Sequence, residues 1–165
     1  MIKTNMIRIG VLSDTHLVKM SRETKQKIKE LFRDTAILIH AGDMTSMEVY
    51  EYLNNWDFKA VAGNMDDDDL VSLLPRQRIE EIGGKRIGVT HGRGSPHGIE
   101  DVVYKEFHDV DIIIFGHSHI PLFTKRNRVI MFNPGAFKRS YSYAGSVGMI
   151  EIVDDTIQCR HIEVQ

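Results

Sequence analysis

Five short polar segments carry the residue types that bind divalent metals: Asp14-Thr15-His16, Gly42-Asp43, Gly63-Asn64, His91-Gly92 and Gly116-His117-Ser118-His119. Carboxylate, amide and imidazole donors together suit first-row divalent ions, namely Mn, Fe, Co, Ni or Zn. The donors are too many for one ion and suit two that share a carboxylate. Two ions about 3.5–4 Å apart can clamp both the attacking and the leaving oxygen of a phosphoryl centre. Cysteine is absent from the set, which argues against a structural zinc cluster. Neither Gly-x-x-x-x-Gly-Lys nor Gly-x-Gly-x-x-Gly occurs, so a nucleotide-binding fold has no support.

Each segment follows an apolar, β-branched run, and those runs read as the strands that position it. Residues 6–12 form the first, and 36–40, 58–62, 85–90 and 111–115 the others. Ser21 caps a helix over residues 23–33, and Ser46 caps one to about Asn55. Strand, loop, helix and strand in succession predict right-handed crossovers and a parallel sheet. Function in such sheets gathers beyond the carboxyl ends of the strands. Gly83-Gly84 marks a hairpin between residues 78–82 and 85–90, and residues 98–108 read as a helix. Residues 121–125 and 128–132 form a tight pair, and 145–153 and 156–164 a final hairpin about Asp154-Asp155. The fold class expected is α/β: a four-layer α-β-β-α sandwich of two mixed β-sheets flanked by helices. Gly116 is expected to supply the bend that lets His117 and His119 diverge.

A chain of 165 residues suits one domain, residues 1–165, with a sizeable core. The net charge of −2 provides no basic field, so strong nucleic-acid binding is not expected. No apolar run approaches the roughly 20 residues of a membrane span. Only a short apolar stretch precedes Asp14, too short for a signal peptide, and the single cysteine, Cys159, fits a reducing compartment. The cytoplasm is the expected location. The final hairpin leaves an edge strand able to pair with a second copy, which makes a homodimer possible.

Taken in order, the five motifs resemble those of the calcineurin-like metallophosphoesterase superfamily. Length and order are similar to its small single-domain prokaryotic branch, the YfcE-like phosphodiesterases. That resemblance implies a metal-dependent phosphoric ester hydrolase acting on small phosphate esters, most simply a phosphodiesterase. Its cofactors would be two divalent transition-metal ions, manganese first, with Fe, Ni, Co or Zn as substitutes. It assigns Asp14, His16 and His119 to one metal and Asn64, His91 and His117 to the other, with Asp43 bridging. A metal-bridging hydroxide would attack phosphorus in line, Asp43, Asn64 and His91 serving its activation and Asn64 also the substrate. The alternatives are a phosphomonoesterase, or a protein-binding scaffold like the retromer subunit of the same fold.

Two departures stand out. Many relatives carry His after the Gly-Asn pair, to protonate the leaving group, and the small branch commonly has Cys; here Met65 has no proton to give. Arg93 stands where some relatives have His and is a candidate phosphate contact. Other polar residues have two readings each. His97 is a surface residue or the missing acid, and Asp66 orients a ligand histidine or belongs to a solvated acidic run. Tyr141 and Tyr143 are a substrate wall or an interface. His40 reads as a support for its turn, and His108 and His161 as surface residues. The Asn133-Pro134-Gly135 loop resembles one that lies near the metals in the family. The site itself is expected to be open, walled by loops around Val18, Leu70, Ser95 and Phe137.

Overall fold

The computed structural model describes residues 6–165. Among these residues ten strands form two five-stranded sheets. In the first, β1 (Met6–Leu12), β2 (Ile37–His40) and β3 (Asp57–Ala60) run parallel. β9 (Ser146–Val153) pairs antiparallel with β1, and β10 (Thr156–Glu163) closes that edge. In the second, β5 (Lys85–Thr90), β6 (Ile112–Ile114) and β8 (Val129–Asn133) are parallel. β4 (Gln77–Ile82) and β7 (Leu122–Arg126) flank them antiparallel. Both sheets are mixed, as expected from the order of crossovers and hairpins.

Three apolar clusters explain the layering. Between the sheets lie Ile9, Val11, Ile39, Ile87, Ile112, Ile130, Phe132 and Ile150. Their strands are buried on both faces, which is why they read as unbroken apolar runs rather than alternating ones. Truncating one of them, Ile112→Ala for example, costs about 2–5 kcal/mol. On the outer face of the first sheet, α1 (Arg22–Leu31), α2 (Met47–Leu53) and α3 (Asp68–Leu73) cover Leu38, Ala60 and Met149 with Ile28, Val49, Leu53 and Leu70. On the second sheet, α4 (Ile99–Tyr104) sets Ile99 and Val103 against Ile113, Phe115 and Met131. The architecture is therefore helix, sheet, sheet, helix.

Element ends follow local chemistry. Ser21 caps α1 by accepting from Thr24 N–H at 3.0 Å. Ser46 stands at the α2 N-cap but makes no cap bond; its hydroxyl reaches Leu17 O and Val18 O, each at 3.0 Å, tying the helix to the first polar loop. Asp67, from the acidic run, caps α3 by accepting from Leu70 N–H at 2.9 Å. α4 is shorter than residues 98–108, because Gly98 adopts φ 71° at its N-cap and the helix ends at Tyr104.

Register sets the height of the polar loops. Leu12 pairs with His40, and His40 with Ala60, so the loops after β1, β2 and β3 start level with one another. Val89 pairs with Ile114 in the second sheet, so the loops after β5 and β6 also start nearly level. The two rims meet: His117 N–H, after β6, donates to Asp14 Oδ2, after β1, at 3.1 Å, and His91 Nδ1, after β5, lies 2.7 Å from Ala41 O, after β2.

Candidate active site

The seven candidate donors converge at that rim. Asp14 is buried, and its Oδ2 accepts from Ser13 Oγ at 2.6 Å and from His117 N–H at 3.1 Å. Its Oδ1 faces His119 Nε2 at 3.1 Å, His16 Nε2 at 3.7 Å and His91 Nε2 at 3.9 Å. Asp43 Oδ1 accepts from Met65 N–H at 2.7 Å, while Oδ2 faces His91 Nε2 at 3.2 Å and His16 Nε2 at 3.7 Å. Two groups have donor atoms all within 4.8 Å of one another: Asp14, His16 and His119; and Asp14, Asp43 and His91. Asp14 belongs to both groups and Asp43 to the second, although Asp43 Oδ2 also faces His16 of the first.

Hydrogen bonds to main-chain carbonyls fix two of the imidazoles. A carbonyl can only accept, so His91 Nδ1–H donates to Ala41 O at 2.7 Å and His117 Nε2–H to Gly94 O at 2.8 Å. In the neutral rings the remaining nitrogens, His91 Nε2 and His117 Nδ1, are bare lone pairs. Each lies 3.1 Å from Asn64 Oδ1, itself an acceptor. In this arrangement three lone pairs face one another, and a cation between them would relieve the repulsion. Asp14 Oδ1 is likewise buried without a hydrogen-bond partner. Both features fit divalent metal, as does the N/O donor set.

Electrostatics agree. Burial opposes ionisation of Asp14, yet His119, His16, His91 and Ser13 hold its carboxyl well below the usual carboxylate range. Burial also opposes ionisation of Asp43, and His91 with the Met65 N–H outweighs it, so its pKa too is lowered. His16 is pushed up chiefly by its contact with Asp14, against partial burial. His91 is pushed up despite burial, by Asp43, Asp14 and the Ala41 carbonyl. The carboxylates are thus held ionised and the two imidazoles are made more basic, and both changes favour a cation among them.

The backbone pays for this convergence. Asp14, His16, Asp43, His117 and His119 all lie in the left-handed region, with φ between 45° and 68°. Strain of this kind costs roughly 1–3 kcal/mol per residue and persists only where the surroundings impose it. The expected bend at Gly116 is corrected here: the turn is made by His117 and His119 themselves, and Gly116 is not in the left-handed region. Glycine is needed there for space, since a Cβ would collide with Ser13 Oγ and Asp14 Oδ2. Gly63 has the same role, a Cβ there running into Asp43.

A family description, the calcineurin-like phosphoesterase superfamily domain, matches residues 7–155. The chain belongs to the calcineurin-like phosphoesterase superfamily. This is a family of metal-dependent phosphoester hydrolases. A probable metallophosphoesterase of Methanothermobacter thermautotrophicus is 34% identical over 131 residues, spanning 78% of this phosphoesterase and 76% of the relative. Among solved structures, an archaeal phosphodiesterase superposes with TM-score 0.71 at 22% identity, covering 94% of this chain and all of that one. Vacuolar protein sorting 29 of Cryptosporidium parvum superposes with TM-score 0.72 at 20% identity, covering 96% and 97% of the two chains.

Around the donors stand supporting residues, of which Ser140 escaped the sequence reading, Asp66 takes a role it did not give, and His40 supports its turn as expected. Asp66 neither orients a histidine nor lies free in solvent: Oδ2 accepts from Gly63 N–H at 2.7 Å and Asp43 N–H at 3.2 Å, and Oδ1 from Thr45 N–H at 2.7 Å. One carboxylate thereby locks the loops after β2 and β3 together. Ser140 Oγ meets His119 Nδ1 at 2.7 Å. His40, fully buried, accepts from Gly42 N–H at 3.1 Å and donates to Thr15 Oγ1 at 3.2 Å. Burial lowers its pKa to about 4, so it supports the turn as a neutral ring. Asn133 supports the Gly116 loop, its Nδ2 donating to Gly116 O at 3.0 Å and Ser118 Oγ at 3.1 Å.

Other expectations need correction. His161 is not a free surface residue: its Nε2 donates to Asn133 O at 2.7 Å and its ring stacks on Phe132. Leu70 and Phe137 are core, not walls. Arg93 is 80% exposed, with Nε 3.6 Å from Glu106 Oε1. It lines a cleft of about 570 Å³ shared with Asn64, His91 and Arg76. His97 is not brought among the donors; it is exposed and lines a separate cleft with Tyr141 and Tyr143.

Proposed function

We propose that this chain is a two-metal phosphodiesterase. The observation that carries the reading is the meeting of three acceptors, Asn64 Oδ1, His91 Nε2 and His117 Nδ1, beside an unpartnered Asp14 Oδ1. Asp14, His16 and His119 would hold one ion, and Asn64, His91 and His117 the other. Asp43 would serve both, because Met65 N–H occupies one of its oxygens and the other lies between His16 and His91. When bound, two divalent ions supply Lewis-acid chemistry, charge neutralisation at phosphorus and a water of lowered pKa. Manganese is the ion proposed first.

The residues then divide the remaining work. Ala41 O and Gly94 O keep the His91 and His117 lone pairs turned inward. Asn64 and Arg93 line the cleft in which the ester would lie, and Arg93, held only loosely to Glu106, is free to turn toward a phosphate oxygen. Met65 offers no proton to a departing oxygen. His97 opens onto the neighbouring cleft and is a remote source of one. Leaving groups that depart as stable anions are therefore favoured, and diesters over monoesters, since a monoester dianion depends more on a protonated leaving group. A binding-only role gains nothing from the site, because every donor of the set is present.

The test joins metal analysis of the purified protein to manganese-dependent hydrolysis of bis(4-nitrophenyl) phosphate and 4-nitrophenyl phosphate. Two ions per chain and a faster diester reaction are expected. A faster monoester reaction would refute the preference, and hydrolysis unaffected by chelator would refute the metal reading.

A further inference from the structure

A second cleft, of about 500 Å³, adjoins the donors on the His119 side. Its walls include Pro96, Phe115, Ile120, Leu122, Tyr141 and Tyr143. Phe115 forms its buried floor, while Ile120, Tyr141 and Tyr143 are exposed by 39%, 83% and 41% and face open space rather than core. Continuity with the site is direct. Ser118, between His117 and His119, lines the cleft, and the Tyr141 ring centroid lies 6.2 Å from that of His119.

The turn that carries the tyrosines is tied to the site. Ser140 and Tyr143 exchange both backbone hydrogen bonds, at 3.1 and 3.0 Å, leaving Tyr141 and Ser142 as the two central residues. Tyr141 has φ 52°, in a position that glycine or asparagine would fill without strain. Ser140 of the same turn bonds His119. A strained, exposed aromatic ring is thus held beside a proposed metal-holding imidazole, an arrangement that neither core packing nor turn formation requires. Glu100 is the one carboxylate of the lining, and no Lys or Arg accompanies it, so the cleft suits a neutral group rather than an anion.

We infer that this cleft binds a flat aromatic substituent of the phosphate ester, stacked against Tyr141. The inference rests on the phosphoesterase reading above and names the class of substrate: aryl or nucleoside diesters over alkyl diesters. Such stacking gives about a five- to tenfold preference.

The experiment compares three manganese-loaded proteins: unsubstituted, Tyr141→Asn and Tyr141→Phe. Asparagine keeps the left-handed backbone and removes the ring; phenylalanine keeps the ring. Methyl, phenyl and thymidine 5′-esters of 4-nitrophenyl phosphate share one leaving group and differ in the second substituent. The unsubstituted protein is expected to favour the phenyl and thymidine esters by about five- to tenfold in kcat/KM, mainly through KM, with Y141N losing the preference and Y141F keeping it. Preference for the thymidine ester alone would identify a nucleoside as the source; equal gains would identify any aryl group. Calorimetric binding of phenylphosphonate against methylphosphonate supplies a readout independent of turnover. Hydrolysis without an aryl preference, or an aryl preference that survives Y141N, overturns the inference and leaves the phosphodiesterase reading intact. An aryl binding preference lost in Y141N, in a protein that hydrolyses none of the esters, overturns the reaction and sustains the cleft.

Discussion

The two halves of the candidate site are held by different means. On one side, His91 and His117 are oriented by main-chain carbonyls, which leave no choice of tautomer, and the His91 side chain is only 2% exposed. On the other, His119 is held by the Ser140 hydroxyl, which can donate or accept, and His16 and His119 are 32% and 23% exposed with their Nε2 atoms 3.4 Å apart. The carbonyl-held half is fixed by main chain, Ala41 just past β2 and Gly94 in the loop after β5. The hydroxyl-held half depends on one residue of a surface turn. Preorganisation by backbone and by side chain thus stand side by side, and substitution can tell them apart.

The largest effect should come from the carboxylate proposed to serve both ions. Asp43→Asn is expected to bring hydrolysis to background and to lower occupancy of both ions, since a neutral amide no longer screens two cations. Normal diester hydrolysis by this variant would sink the two-metal account. Next, His117→Ala should lose the ion on its own side and His119→Ala the other, as read by metal content at limiting manganese. Equal loss of both ions from either variant would contradict the division into halves.

A smaller and one-sided effect is expected of Ser140→Ala. Residues that orient a metal-binding imidazole typically contribute 10–100-fold in affinity, and an exposed hydroxyl should lie near the lower bound, about tenfold. Only the ion held by His16 and His119 should weaken. No side-chain truncation removes Ala41 O or Gly94 O, because every residue type carries a carbonyl. Weakening of the other ion would show that the halves are not separable.

The smallest effect is on stability. His16 and His91 have pKa values raised above 6.5 in the fold. In metal-free protein they bind protons that the unfolded chain has already released, so this stabilisation is complete below pH 6.5 and is lost as pH rises through the folded values. His40, lowered to about 4, acts oppositely and costs stability as pH falls below 6.5. The metal-free melting temperature is therefore expected to decline above pH 6.5, while the manganese-loaded protein, which needs neutral imidazoles, gains from the same change. Thermal melts with and without chelator would check the crossing; parallel pH profiles would contradict it.

The donors were legible in the sequence because each follows a buried strand, and strand ends in a parallel sheet share one rim. The two sheets were legible for the same reason, their runs being apolar on both faces. What holds the donors was not. The carbonyls of Ala41 and Gly94 have no sequence signature. Asp66 lay hidden in a run of four aspartates, of which it locks loops and Asp67 caps a helix. Ser140 is far from His119 in sequence, and nothing local announces the pairing. Gly116 was read for flexibility, whereas its missing Cβ makes room for Ser13 and Asp14. Leu70 and Phe137 follow polar stretches yet point inward, a fact that only the packing of the α1–α3 layer reveals.

The most direct test of the central claim is anomalous diffraction from crystals of the manganese-loaded protein. The account expects two peaks about 3.5–4 Å apart. One should be bounded by Asn64, His91 and His117, the other by Asp14, His16 and His119, with Asp43 between them. A single peak, or two peaks that leave Asn64 and His117 without a metal neighbour, would contradict it.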